Sequence, residues 1–336
     1  MSFSDVNMTK VCYEHDSCHF IRVISHVILF KISIIPLNNT LNIENYNIIK
    51  CKAINYIALI KLRLTLMVVF SAGIGFVIAS NNLLAWGDLI ILLISGFLIT
   101  GSANGINQVI ERKLDALMLR TKNRPVATNR IKPIEAIIIT TIMGILGAIL
   151  LGLFLNTLSA FIGMLSLIVY AFVYTPLKQK TRFSVLAGAL SGAAPPLIGY
   201  TAAIGSIDEL CLLLFSLQFV WQLPHFWAVA WVLDKDYKKA GFRLLPSKKG
   251  KDSQSAMCIF IATSLLIPIC LFFVFSGFIN LTFGALIMLF TIHFLYQAFI
   301  LLKTKNINDA RRLMFGSFYY LPVVQILILT GIILTT

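Results

Sequence analysis

From residue 64 to the C-terminus, apolar runs follow one another with only short polar breaks between them. They cover roughly 64–80, 86–106, 134–154, 157–175, 184–204, 209–231, 255–276, 281–302 and 313–335. A helix that crosses a bilayer needs about 20 mainly apolar residues, and each run is close to that length. The fold class expected is therefore all-α: a polytopic membrane helix bundle with about nine transmembrane helices. Composition agrees, with 58% hydrophobic and 12% charged residues against about 25% charged in an ordinary soluble domain. Glycines and prolines inside the runs (Gly73, Gly75, Gly188, Gly192, Pro195, Pro196) are tolerated in membrane helices, where small residues allow close packing.

The net charge of +14 would suit nucleic acid, but its placement argues for no nucleic-acid partner and for the lipid bilayer instead. Lysines and arginines crowd the exits of the second, fourth, sixth and eighth runs. The opposite connections (SNNLLAWGD, NT, GSIDE, GFIN) hold none. The positive-inside rule then puts the N-terminus and the basic exits in the cytoplasm and the C-terminus on the outer side. That arrangement fits a multi-pass protein of the cell (inner) membrane.

Topology does not account for the acids on the same side. Asn107, Glu111 and Asp115 recur at i, i+4 and i+8, which stacks them on one helix face. Carboxylates so placed repel one another unless something positive lies between them. A hard cation that keeps waters and also holds phosphate oxygens suits that face, and Arg120 and Arg124 just beyond could grip those phosphates. A plainer reading pairs Glu111 and Asp115 with Arg112, Lys113 or Lys122 at an amphipathic helix end.

Two further segments share that side. WQLPHFWAVAWVLDKDYKKAGFRLLP (221–246) carries His225 inside the sixth run and Asp234 and Asp236 just past it. An ionisable residue within a membrane span is a functional candidate, although a histidine beside Pro224 could also satisfy a freed carbonyl. If the helix is continuous, His225 lies about 13.5 Å from Asp234 along its axis, too far for one metal site. YTPLKQKTR (174–182) is a basic loop leading into a kinked, proline-containing run. Together the three segments place a cation site, anion ligands and an apolar interior at one mouth, as a lipid diphosphate would require.

Residues 1–50 are mixed and polar, their one apolar piece broken by Arg22, His26 and Lys31. We expect 1–55 to be a poorly structured N-terminal extension and 56–336 to be the membrane domain. The six cysteines show no metal-ligand spacing and are assigned no role.

Asn107, Glu111, Asp115, Met118, Arg120, Thr121 and Arg124, at their spacing, resemble the signature of the UbiA-type membrane prenyltransferases. Within that family YTPLK, GAAPPLIGY, LPHFWAVAW and DYKKAGFRLLP resemble the branch that farnesylates heme. The resemblance spans residue 56 to the C-terminus and implies the nine-helix UbiA-type prenyltransferase fold. It implies farnesyl diphosphate and heme b as substrates, with transfer to a heme vinyl group. Mg2+ is implied as cofactor, held by Asn107, Glu111, Asp115, Asp234 and Asp236, with Asn107, Glu111, Asp115 and Asp236 catalytic. Diphosphate ligands on this view are Arg120, Arg124, Lys178, Arg182 and Lys61, and the heme-binding residues are His225 and Trp227. Heme A synthase or oxidase assembly factors are the candidate protein partners.

The chain departs from the family pattern in several places. Glu111 replaces a common aspartate, Asn129 a glycine, and Leu62 and Arg182 residues that are often proline. Asp234 and Asp236 are not four apart, so the choice of metal ligand between them stays open. Two other readings remain: a prenyltransferase for an aromatic quinone precursor, and an ion-coupled carrier.

Overall fold

The computed structural model describes residues 40–80 and 84–335. The expectation for the N-terminal extension falls largely on residues outside these. The chain divides into two units, Met1–Ala58 and Leu59–Thr336. The helix Thr40–Leu59 runs up to that division.

Among the described residues, nine helices are long and apolar enough to cross a membrane. They are α1 (Leu62–Ala79), α2 (Trp86–Ile110), α3 (Pro133–Phe154), α4 (Thr157–Lys180), α5 (Ser184–Ile204), α6 (Glu209–Val232), α7 (Ser253–Phe275), α8 (Leu281–Thr304) and α9 (Ile307–Thr335). Each span packs on the next in sequence, and α9 closes the circuit against α1. Cross-contacts between α1 and α5, and between α6 and α9, fill the interior.

The residues at the span starts explain where the helices begin. Asn156, Asp208, Asp252 and Asn280 each accept a hydrogen bond from a backbone N–H three residues on, at 2.8–3.1 Å. Those bonds satisfy donors that a helix leaves orphaned at its N-terminus.

In lipid there is little hydrophobic drive between helices, so close packing and buried polar contacts hold the bundle. A Cβ on Gly75 would overlap the Pro196 carbonyl, and one on Gly199 would overlap the Ala72 carbonyl. The two glycines thus let α1 and α5 meet backbone to backbone. Ser71 donates to Gln325 Oε1 at 3.0 Å, Gln325 to Gln218 Oε1 at 2.9 Å, and Gln218 to the Gly192 carbonyl at 2.8 Å. This polar chain ties α1, α9, α6 and α5 together away from water.

Three spans are interrupted, each at a proline. In α4 a π-helical turn, Val169–Tyr174, precedes Pro176. In α5 the break falls at Ala193, just before Pro195 and Pro196. In α7 it falls at Leu265, ahead of Pro268. A proline supplies no N–H and crowds the preceding turn, so the ladder widens or breaks there.

Candidate functional site

The exits of α2, α4 and α6 meet the start of α1 at one end of the bundle. The i, i+4, i+8 stack survives a helix boundary there. Glu111 ends α2, and the short helix Arg112–Asp115 begins immediately after it. Even so, the Glu111 N–H donates to the Asn107 carbonyl at 2.9 Å, and the Asp115 N–H to the Glu111 carbonyl at 2.8 Å. Asn107, Glu111 and Asp115 are all buried, at 1%, 3% and 0% exposure.

Each of the three has a cationic partner. Lys61 Nζ donates to Asn107 Oδ1 at 3.2 Å. Lys178 Nζ lies 2.7 Å from Glu111 Oε1. Arg124 Nη1 lies 2.8 Å from both carboxylate oxygens of Asp115. The partners are therefore Lys178 and Arg124, not the sequence neighbours Arg112, Lys113 and Lys122, which are exposed. Three cations face two carboxylates, leaving one positive charge in excess.

Local structure aims these cations. Ahead of α1 the Leu59 carbonyl accepts from Gln108 at 2.8 Å. The Ile60 carbonyl accepts from Asn104 at 3.3 Å and from Thr65 at 2.7 Å. The pinned chain then turns through a left-handed Lys61 (φ 51°) and points its ammonium at Asn107. Burial lowers the pKa of Lys61 well below an ordinary lysine's, and the nearby Arg124 and Lys178 add to the effect. Burial likewise raises that of Asp115, against the opposing pull of Arg124. Asn129, where the family pattern has glycine, lies at φ 58°, a left-handed conformation that asparagine tolerates better than most residues.

The second acidic pair sits at the facing exit. α6 ends at Val232, and Asp234 and Asp236 open the short helix Asp234–Lys239. Asp236 Oδ2 accepts the Arg120 N–H at 3.2 Å, which joins the two exits. Burial alone would raise the Asp236 pKa, but N–H donors at Arg120 and Leu119, with Lys239, hold it low. Asp234 pairs with Lys238 at 2.9 Å. Neither aspartate joins Glu111 and Asp115, and no group of three or more His, Cys, Asp or Glu positioned for a metal occurs among the described residues. Arg182 turns away as well, donating to the Pro246 carbonyl. The Arg120 side chain is exposed.

Aromatic rings lead from this mouth into the bundle. Lys178 Nζ lies 4.5 Å from the centre of the Tyr174 ring, and Tyr174 stacks on Phe226 at 6.3 Å. Phe226 adjoins His225 at 5.7 Å, and His225 stacks on Trp221 at 5.0 Å and meets the edge of Phe318 at 4.9 Å. His225 Nδ1 lies 2.7 Å from Ser317 Oγ. The Ser317 hydroxyl itself donates to the Met314 carbonyl at 2.6 Å, so its one proton is committed. The hydrogen-bond network thus assigns the proton of the contact to Nδ1 and leaves a lone pair on Nε2. Trp227, two residues on and about 200° around the helix, does not join this ring cluster. Its indole nitrogen is buried without a hydrogen-bond partner.

Residues 68–319 match the UbiA prenyltransferase family model. The chain is 43% identical over 272 residues to the protoheme IX farnesyltransferase of Cytophaga hutchinsonii, covering 81% of this chain and 95% of the relative. The chain belongs to the UbiA prenyltransferase family. A second protein with the same name, from Christiangramia forsetii, is 41% identical over 79% of this chain and 89% of its own length. The UbiA fold is also found in a solved digeranylgeranylglyceryl phosphate synthase (TM-score 0.71, 21% identity, covering 84% of this chain and 99% of that one). A UbiA homolog from Archaeoglobus fulgidus, solved with GPP and Mg2+, superposes with a TM-score of 0.63 at 16% identity, covering 82% of this chain and 99% of that one.

Two residues of this UbiA-family mouth have roles that sequence reasoning did not assign. Thr175 Oγ1 accepts from Asn107 Nδ2 at 3.1 Å and donates to the Tyr170 carbonyl at 2.8 Å, bridging α2 to the π-turn. Tyr174 lines the space between Lys178 and Phe226. Both lie in the YTPLK segment that the sequence singles out, but it is the π-turn beside them, a feature often found at functional sites, that gives each a role.

Proposed function

We propose that the chain transfers the farnesyl group of farnesyl diphosphate to a vinyl group of heme b, giving heme O and diphosphate. The observation that carries this reading is the pairing, at one end of the bundle, of a buried charged mouth with an aromatic path to a histidine whose Nδ1 is engaged by Ser317. The names of the relatives supply the substrates. Two of them, 43% and 41% identical, are protoheme IX farnesyltransferases.

The mouth suits a magnesium–diphosphate complex. Magnesium is commonly held by one or two carboxylates together with substrate phosphates and water, and Asn107, Glu111 and Asp115 offer three buried oxygen donors on one face. When bound, the ion would draw electron density from the diphosphate and make it a better leaving group. Asp236, anchored to the Arg120 amide, is the better placed of the second acidic pair to face the same substrate.

On this reading Lys61, Arg124 and Lys178 exchange their present acceptors for diphosphate oxygens. Arg120 and Arg182 supply positive charge at the rim. The allylic C–O bond breaks and its electron pair leaves with diphosphate. The terminal carbon of the heme vinyl group bonds to the allylic carbon. Water then adds to the cation formed next to the porphyrin and loses a proton, leaving a hydroxyl. Tyr174 and Phe226 shield the allylic cation from premature capture by water.

His225 would hold the heme, through Nε2 on iron or by orienting a propionate, with Trp221 and Phe226 against the ring. Trp227, about 200° around α6 from His225, is left out of this contact. The basic exits orient the protein with this mouth in the cytoplasm and the C-terminus outside a cell (inner) membrane. Heme A synthase or oxidase assembly factors are the expected recipients of the product.

The discriminating experiment gives membranes containing the chain radiolabelled farnesyl diphosphate, magnesium, and heme b and 4-hydroxybenzoate together. Label in extracted heme alone is expected. Label in the benzoate would replace this reading with the aromatic quinone-precursor enzyme.

A further inference from the structure

On the far side of α9 from His225 lies a cavity of about 510 Å³ between α8 and α9. Residues 315, 316, 319, 320 and 323 of α9 line it, whereas Ser317 and Phe318 face His225. The cavity is thus separate from the mouth. Its wall is aromatic, with Phe290, Phe294, Phe315 and Tyr319, and three of these four rings are exposed on the bundle's outer face.

One end of the cavity is cationic. Arg311 and Arg312 line it at the α8–α9 turn, and Lys303 and Lys305 lie in or beside the same turn. Arg311 makes no ion pair among the described residues. Arg312 reaches only Asp309, at 3.4 Å, and its side chain is 77% exposed. Deeper in the slot, level with Tyr320, His293 adds a donor. Gln297 Nε2 lies 2.9 Å from its Nε2, and a donating amide there leaves the ring proton on Nδ1. Gln297 Oε1 is buried and without a partner.

A slot that is greasy along its length and rich in donors at one end matches an amphiphile with an anionic head. We propose that the α8–α9 groove is a binding site for an anionic phospholipid, its phosphodiester at Arg311 and Arg312 and an acyl chain along the aromatic wall past His293. Charge complementarity favours this occupant. Basic pockets between membrane helices on the cytoplasmic side capture anionic lipid heads, whereas a zwitterionic lipid brings the same phosphodiester but adds its own cation beside Arg311, Arg312, Lys303 and Lys305.

Native mass spectrometry of the full chain tests this, after exchange into detergent with equal phosphatidylglycerol and phosphatidylcholine. The expected result is retained phosphatidylglycerol adducts on the unaltered protein, reduced at least tenfold in Arg311→Gln/Arg312→Gln and unchanged in the charge-matched control Lys248→Gln/Lys249→Gln. Val323→Trp, which fills the slot and keeps every charge, is expected to reduce them too. Equal retention of both lipids would overturn the proposal, and so would equal loss in the control. Adducts of a carboxylated tetrapyrrole that displace phosphatidylglycerol and need the same arginines would reassign the groove to that ligand.

Discussion

A single nitrogen of Arg124, Nη1, sits 2.8 Å from both carboxylate oxygens of Asp115, nine residues earlier in the chain. Asp115 is 1% exposed at its side chain and Arg124 17%. The resting mouth therefore pairs the carboxylate proposed to hold metal with the guanidinium proposed to hold phosphate. A substrate must exchange partners with both members of the pair.

Removing one partner of a buried pair strands the other, a loss of about 3–5 kcal/mol. Asp115→Ala is therefore expected to melt at a lower temperature and to lose nearly all turnover. Asp115→Asn keeps the shape and a hydrogen-bond acceptor, so it should fold closer to normally and still lose turnover. Glu111→Gln should behave in the same way beside Lys178. Normal turnover in well-folded Asp115→Asn membranes would remove Asp115 from the site.

Lys61 gives the mouth a pH signature. Its pKa is depressed by burial and by the neighbouring cations, and diphosphate binding needs its charged form. As pH rises through that lowered pKa the ammonium loses its proton. The kcat/KM for farnesyl diphosphate, which reports groups on the free enzyme, should then decline well before an ordinary lysine would titrate. Lys61→Arg keeps its charge at every working pH and should flatten this alkaline limb. An identical limb in both proteins would assign it to another group.

The Ser317 contact fixes the tautomer of His225, and groups that orient a metal ligand commonly contribute about 10–100-fold to affinity. Ser317→Ala should weaken heme b binding by roughly that factor, and His225→Ala should abolish the ligand's spectral signature. Affinity for farnesyl diphosphate should stay unchanged in both variants. An unaltered heme spectrum together with an unaltered heme affinity in His225→Ala would make the residue structural.

Orientation is tested by fusing a reporter after Thr336. Alkaline phosphatase there should be active and a cytoplasmic fluorescent reporter dark, because the basic exits lie on the opposite side. The reverse pattern would place the mouth outside.

The spans were legible because lipid demands long apolar runs, and nine such helices are present among the described residues. The start of the ninth was not. It begins at Ile307, ahead of the expected 313, because Asp309 in its first turn pairs with Arg312 and suits the positive helix end. Hydropathy reads those charges as loop. The acid stack was equally readable from spacing, whereas its partners were not. Lys178 is 67 residues from Glu111, and Arg124 reaches Asp115 through a loop whose turns carry no periodic signal. His225 was visible as a charge-capable residue in a span, but Ser317 lies 92 residues away and reads as an ordinary small residue of α9.

The central claim is tested most directly with the purified full chain in lipid nanodiscs, given heme b, deuterated farnesyl diphosphate and magnesium. Extracted hemes are then weighed by mass spectrometry. The account predicts one new heme carrying a deuterated farnesyl group plus one water, absent without magnesium and absent in Asp115→Asn. Unmodified heme b from folded protein, with the farnesyl diphosphate intact, would contradict it.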